Sequence, residues 1–203
     1  MAGVLAAAMP SLIYGTAWKK DATHALVKQA ILSGFRGIDT AAQPKHYQEH
    51  LVGQGIRDAM AEGSIDREEI YIQTKYASIN GQDPMRVPYN PQASIAEQVK
   101  TSVESSLSNL TAPSSIFNEH AYVDCLVLHS PFPLRKQTEE AWRAMEAHAP
   151  HPVRTLGISN IYHLPALQAL YEFARIKPVV VQNRFYRDTG YDLASVPSAP
   201  RRV

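Results

Sequence analysis

Two kinds of hydrophobic pattern alternate along the chain. Short, near-continuous apolar runs occur at Phe35 to Asp39, Ile70 to Lys75, Val123 to His129, Thr155 to Asn160 and Val179 to Gln182. A weaker run from Leu12 to Tyr14 leads into Gly15. Runs of this length read as strands buried on both faces. Between them, apolar residues recur at helical spacing: Leu26, Val27, Ala30 and Ile31; Val52, Ile56, Ala59 and Met60; Ile95, Val99, Val103 and Leu107; Leu164, Leu167, Leu170 and Tyr171. The stretch Gln137 to Ala147 is less regular but groups Ala141, Trp142 and Met145. Ser94 and Glu97 have the spacing of a capping box, in which each side chain satisfies a backbone donor at a helix start. Strand and helix alternate throughout, which predicts an α/β protein with a parallel sheet and helical crossovers.

Every strong run stops at a polar residue: Asp39, Lys75, His129, the pair Ser159 and Asn160, and Gln182. In parallel α/β proteins the ligand sits where the strands end. Successive strands are therefore expected to deliver these groups to one place.

Composition narrows the function classes. A chain of 203 residues with 45% apolar content is one ordinary globular domain. Its net charge of +1, with both signs interspersed, gives no electrostatic footprint for nucleic acid and no polybasic membrane segment. Met1 to Met9 is Ala-rich but lacks a basic start and is too short for a signal peptide or a membrane span, so a cytoplasmic location is expected. The single Cys125 lies inside an apolar run, so no internal disulfide is possible and a buried, inert thiol is expected. No histidine has acidic or cysteine partners at zinc-ligand spacing, and no metal is expected. Two long loops interrupt the alternation. Tyr76 to Ala93 leaves the strand that carries Lys75 and is placed to wall a site. Ser108 to Ala121 joins a helix to the next strand and belongs to the opposite face.

Six segments resemble one family in the same order: Gly34-Phe35-Arg36-Gly37-Ile38-Asp39-Thr40-Ala41, Tyr47-Gln48-Glu49 followed by Val52-Gly53, Thr74-Lys75, Leu128-His129-Ser130-Pro131, Leu156-Gly157-Ile158-Ser159-Asn160, and Val181-Gln182-Asn183. They look like the aldo-keto reductases. The resemblance implies a (β/α)8 barrel of TIM type that reduces carbonyls with NADPH, with a small-molecule aldehyde or ketone as substrate. It does not speak to oligomeric state.

The chemistry accounts for the residue types. Hydride addition to a carbonyl builds negative charge on oxygen, which needs a proton donor and fixed dipoles. The resemblance implies Tyr47 as donor, Lys75 as the cation that favours its phenolate, Asp39 as the anchor of that lysine and His129 as the group that orients the carbonyl. It assigns Ser159, Asn160 and Gln182 to the nicotinamide carboxamide. Taken singly, Asp39 reads equally as a turn former, Lys75 as a surface lysine, His129 and Tyr47 as packing residues, and Ser159-Asn160 as a helix cap. Their joint placement at successive strand ends favours the shared site.

The chain departs from the family in two places. Tyr47 follows Asp39 by eight residues where five is the common spacing, so Gln43-Pro44-Lys45-His46 lengthens the loop and places Lys45 or His46 at the substrate entrance. After Gln182 the pattern continues only to Tyr191-Asp192-Leu193-Ala194, and the Pro-rich end Ser195 to Val203 supports no helix or strand. The expectation is an incomplete barrel of about six β/α units over residues 1–194, with an irregular tail at 195–203. Open sheet edges and weak NADPH binding should follow. The alternative function is a non-catalytic fragment or interaction protein that keeps the partial barrel. Trp18 and Phe132 are further candidates for pocket walls, with simple packing as the competing reading.

Overall fold

A computed structural model describes residues 9–63, 65–111 and 121–192. The tail at 195–203, the start of the chain and most of the loop before Ala121 lie outside these residues. Six strands, β1 (Tyr14–Gly15), β2 (Gly37–Asp39), β3 (Tyr71–Tyr76), β4 (Val123–Leu128), β5 (Val153–Ser159) and β6 (Val180–Gln182), form one sheet in sequence order. All five pairings are parallel. Helices α1 (Thr23–Leu32), α2 (Glu49–Gly63), α3 (Ile95–Leu110), α4 (Arg135–Glu146) and α5 (Leu164–Phe173) supply the crossovers. The sheet curls into an incomplete barrel, as expected.

Local sequence sets the element ends. Ser94 accepts a hydrogen bond from the Glu97 amide and starts α3. α1 stops because Gly34 takes φ +102°, which lets the Phe35 amide reach back to the Ala30 carbonyl at 3.0 Å. That turn delays the next strand, so β2 begins at Gly37 rather than at Phe35. α3 runs to Leu110, so the opening of the expected loop after Ser108 is helical.

The register sorts side chains into two layers, because residues paired across parallel strands lie on the same face. Asp39, Gln73, Cys125 and Thr155 form one row; Lys75, Val127, Gly157 and Val180 form the next. These face the barrel interior, where Tyr71, Cys125 and Val127 pack with Ile13 and Val180. The alternate residues Ile38, Ile72, Leu126, Leu128, Leu156 and Ile158 face the helices and meet Val27, Ile56, Val99, Val103, Trp142 and Met145. Cys125 is fully buried and burial pushes its thiol up to about 11, which makes it inert. At the N-terminal rim, buried Asp124 accepts from Arg67 and Arg154 at 3.0 Å each and from the Ile72 amide at 2.9 Å.

α5 departs from its sequence pattern. Of the four apolar residues placed on one face, only Leu170 is buried, and Leu164 and Tyr171 are exposed. The reason is position: α5 is the last described α-helix, so no later α-helix packs against it.

Candidate active site

Inward-facing polar residues occur toward the C-terminal ends of four strands, spread over three successive rows. Strand alternation dictates this, since Asp39, Lys75, Ser159 and Gln182 share the inward parity that the register defines. Lys75 is buried and donates to both oxygens of Asp39, at 2.6 and 2.7 Å, and to the Thr40 carbonyl at 2.8 Å. Three donors are all an ammonium has. Lys75 therefore has none left for a phenol.

Tyr47 precedes α2 and is not carried by a strand. Its ring lies with the Lys75 ammonium 5.2 Å from the centroid, a cation–π distance. The His129 ring stands edge-on to it at 6.2 Å and 72°. Burial, and after it the negative charge of Asp39, pushes the Tyr47 phenol well above its ordinary value. This direction is opposite to the effect expected of Lys75 from sequence. The main cause is burial of the phenol, to which the nearby Asp39 charge adds.

His129 extends β4 by one hydrogen bond, from its amide to the Tyr76 carbonyl at 2.9 Å. Burial, and then the Lys75 charge, pushes its imidazole down to about 4, so it is neutral at pH 7. A cleft of about 280 Å³ opens beside it, lined by Gln43, Ser78, Asn80, Ser130 and Pro131 among others. The loop after β3 thus walls the site as expected. His46 does not line this cleft; its ring stacks on Trp18 with centroids 3.8 Å apart. Phe132 packs against the core and borders a separate groove between α4 and α5.

Ser159, Asn160 and Gln182 sit together at the ends of β5 and β6. Ser159 Oγ donates to the Gln182 carbonyl at 2.6 Å. Asn160 takes the left-handed conformation at φ +55°, which asparagine tolerates, and its Nδ2 donates to the His129 carbonyl at 2.7 Å. The seven residues singled out from the sequence therefore converge on one rim.

Three residues were missed. Gln73 donates from Nε2 to Asp39 Oδ1 at 2.8 Å and to Gln182 Oε1 at 3.2 Å, linking the charged pair to the strand end across the barrel. Its signal was available: it lies two residues before Lys75 and shares its parity. Gln43 and Gln82 make buried side-chain bonds between the loops after β2 and β3. No sequence pattern distinguishes such loop glutamines from solvated ones. Among the described residues no group of His, Cys, Asp and Glu has the geometry to hold a metal. No described helix is long and apolar enough to cross a membrane.

Comparison with known proteins converges on one family. Residues 11–186 match the model of the aldo/keto reductase family. The uncharacterized oxidoreductase YtbE of Bacillus subtilis is 32% identical over 161 residues, covering 79% of this chain and 48% of that protein. The methylglyoxal reductase DkgA of Yersinia pestis is 29% identical over 177 residues, covering 86% and 53%. A crystal structure of a Bombyx mori aldo-keto reductase in complex with NADP superposes with a TM-score of 0.68 at 26% identity, covering 87% of this chain and 54% of that one. The chain spans about half the length of the curated relatives it matches.

Proposed function

This chain belongs to the aldo/keto reductase family, and from that membership and the geometry of its rim we propose that it carries the chemical half of an NADPH-dependent carbonyl reductase. The observation that carries the reading is the buried Lys75–Asp39 pair against the Tyr47 ring, with the His129 ring edge-on to it. The NADP complex of the Bombyx mori relative and the activity named for DkgA support the cofactor and the carbonyl substrate.

The donor set at β5 and β6 fits a primary carboxamide. Gln73 Nε2 occupies Gln182 Oε1, which turns the Gln182 amide nitrogen toward a ligand acceptor. Asn160 spends Nδ2 on the His129 carbonyl and Ser159, which leaves Oδ1 for an amide N–H. In this reading Ser159, Asn160 and Gln182 fix the nicotinamide ring, which supplies hydride when bound.

The remaining steps belong to the chain's own residues. Neutral His129 donates a hydrogen bond to the carbonyl oxygen and orients it. Tyr47, whose raised pKa keeps it protonated at neutral pH, gives its proton to that oxygen as negative charge develops. Lys75, held by Asp39, is the cation nearest the phenolate left behind and offsets its charge.

Among the described residues β6 has a strand neighbour on one side only, which favours a second reading, a non-catalytic protein that keeps the partial barrel. Two measurements separate the readings. Fluorescence titration with NADPH tests the carboxamide set, and NADPH oxidation with a panel of aldehydes tests turnover. Under the reductase reading, Tyr47→Phe abolishes turnover and leaves NADPH binding intact. Turnover that survives Tyr47→Phe removes Tyr47 as the acid, and absence of both binding and turnover favours the second reading.

A further inference from the structure

We propose that Gln43 and Gln82 are positioning residues: together they fasten the lengthened turn Ala42 to Tyr47 onto the loop after β3 and so hold Tyr47 over Lys75. Asp39 and Lys75 ride on strands, whereas Tyr47 lies beyond a turn whose bond to a strand is at its start, from the Ala42 amide to the Lys75 carbonyl at 3.0 Å. Its placement must come from elsewhere.

The fastening runs in both directions. Gln43 Nε2 donates to the Gly81 carbonyl at 2.5 Å, and Gln82 Nε2 donates to the Ala42 carbonyl at 2.8 Å and the Ala77 carbonyl at 3.2 Å. Both glutamines are buried, so these bonds do not compete with water. The Gln43 carbonyl then accepts from the amides of His46 and Tyr47, at 3.0 Å each. One residue thus grips the loop with its side chain and Tyr47 with its backbone. Tyr89 steadies the loop from behind through its hydroxyl on the Ala77 carbonyl at 2.7 Å. On the far side of the turn, the Trp18 amide donates to the His46 carbonyl at 2.8 Å. Gly81 matters for closeness: a Cβ there would stand 3.2 Å from Gln43 Nε2, tight enough to displace the amide. The three extra residues between Asp39 and Tyr47 are therefore held by a partner loop that supplies one carbonyl, from Gly81, and one glutamine, Gln82.

The test is amide hydrogen exchange by NMR on the full chain, comparing wild type with Gln82→Leu. Loss of the fastening should speed exchange of the His46 and Tyr47 amides about tenfold, the scale of one lost neutral hydrogen bond. The Val127 amide in β4 should not change. Unchanged exchange at Tyr47, or a rise that Val127 shares, overturns the proposal. Gln43→Leu and Gly81→Ala, measured the same way, keep the question open to refutation where Gln82→Leu does not fold. A second arm rests on Tyr47 as proton donor. Gln82→Leu should slow aldehyde reduction about tenfold and leave NADPH binding unchanged, the split expected when only the proton donor is displaced. Unchanged turnover, or a loss that NADPH binding shares, refutes positioning through Tyr47. Wild type without turnover refutes the reductase reading and leaves the exchange arm to decide the fastening alone.

Discussion

The Lys75 ammonium meets both oxygens of the Asp39 carboxylate, at 2.6 and 2.7 Å, with the lysine almost wholly out of water. A buried pair of this kind contributes little net stability over an apolar replacement, yet losing one member leaves an uncompensated charge inside the barrel. Asp39→Asn and Lys75→Met should each destabilise the chain by about 3 kcal/mol or more. The double variant should recover much of that loss, because neither charge is then left alone. Urea denaturation of the four proteins checks this, and additive single effects would show that the two residues are not coupled.

The His129 imidazole makes the chain less stable in acid. Its pKa falls from an ordinary 6.5 to about 4 in the folded chain. Above pH 6.5 neither state binds the proton. Between pH 6.5 and 4 the unfolded chain binds it and the folded chain does not, so stability falls as pH drops, by at most about 3 kcal/mol. Below pH 4 both states bind it and this contribution stops growing. Denaturation midpoints from pH 7 to pH 4 should fall less steeply in His129→Gln than in wild type. Burial also lowers the His148 pKa, so His148→Gln should act in the same direction. Parallel curves for wild type and His129→Gln would mean that the imidazole is not held neutral.

Gly53 marks where α2 crosses α3. A Cβ at this position would lie 1.9 Å from the Asn109 carbonyl oxygen and 2.9 Å from its carbon, and neither is a flexible side-chain end. The helices would have to separate, opening the packing of Val52 and Ile56. Gly53→Ala should therefore cost about 3 kcal/mol or more, even though alanine favours a helix. Thermal unfolding followed by circular dichroism reads the shift. A variant as stable as wild type would mean that the two helices do not approach this closely.

Much of this was legible in the sequence, and the reasons differ by residue. Ile72 and Ile38 announce buried strands because parallel strands are apolar on both faces, and the polar residues that end them mark the rim. His129 and Asp39 were readable for that reason. Strand limits were less so: Gly34 needs positive φ to end α1, and the turn it makes consumed Phe35 and Arg36. The direction of the Tyr47 shift was not readable, because it depends on how deeply the fold buries the phenol and how near it brings the Asp39 charge. Gln43 and Gln82 were hidden for a similar reason. Their partners are backbone carbonyls some forty residues away, and carbonyls have no sequence signature.

The apolar face beside β6 leads to the last prediction. Among the described residues β6 has a strand neighbour on one side only, and Val179 and Val181 are 65% and 43% exposed. Phe185 is a further large exposed side chain just past β6 in the sequence. An unpaired strand row next to apolar surface invites association with another chain. The chain should therefore associate as its concentration rises, with a sedimentation coefficient that increases across a tenfold range. Val179→Lys with Val181→Lys places charge on that edge, the device natural edge strands use against pairing. The double variant should sediment as a monomer over the same range, with unchanged circular dichroism. If wild type sediments as a monomer throughout, the edge is not sticky; if it associates and the lysine variant does so equally, the contact lies on another surface.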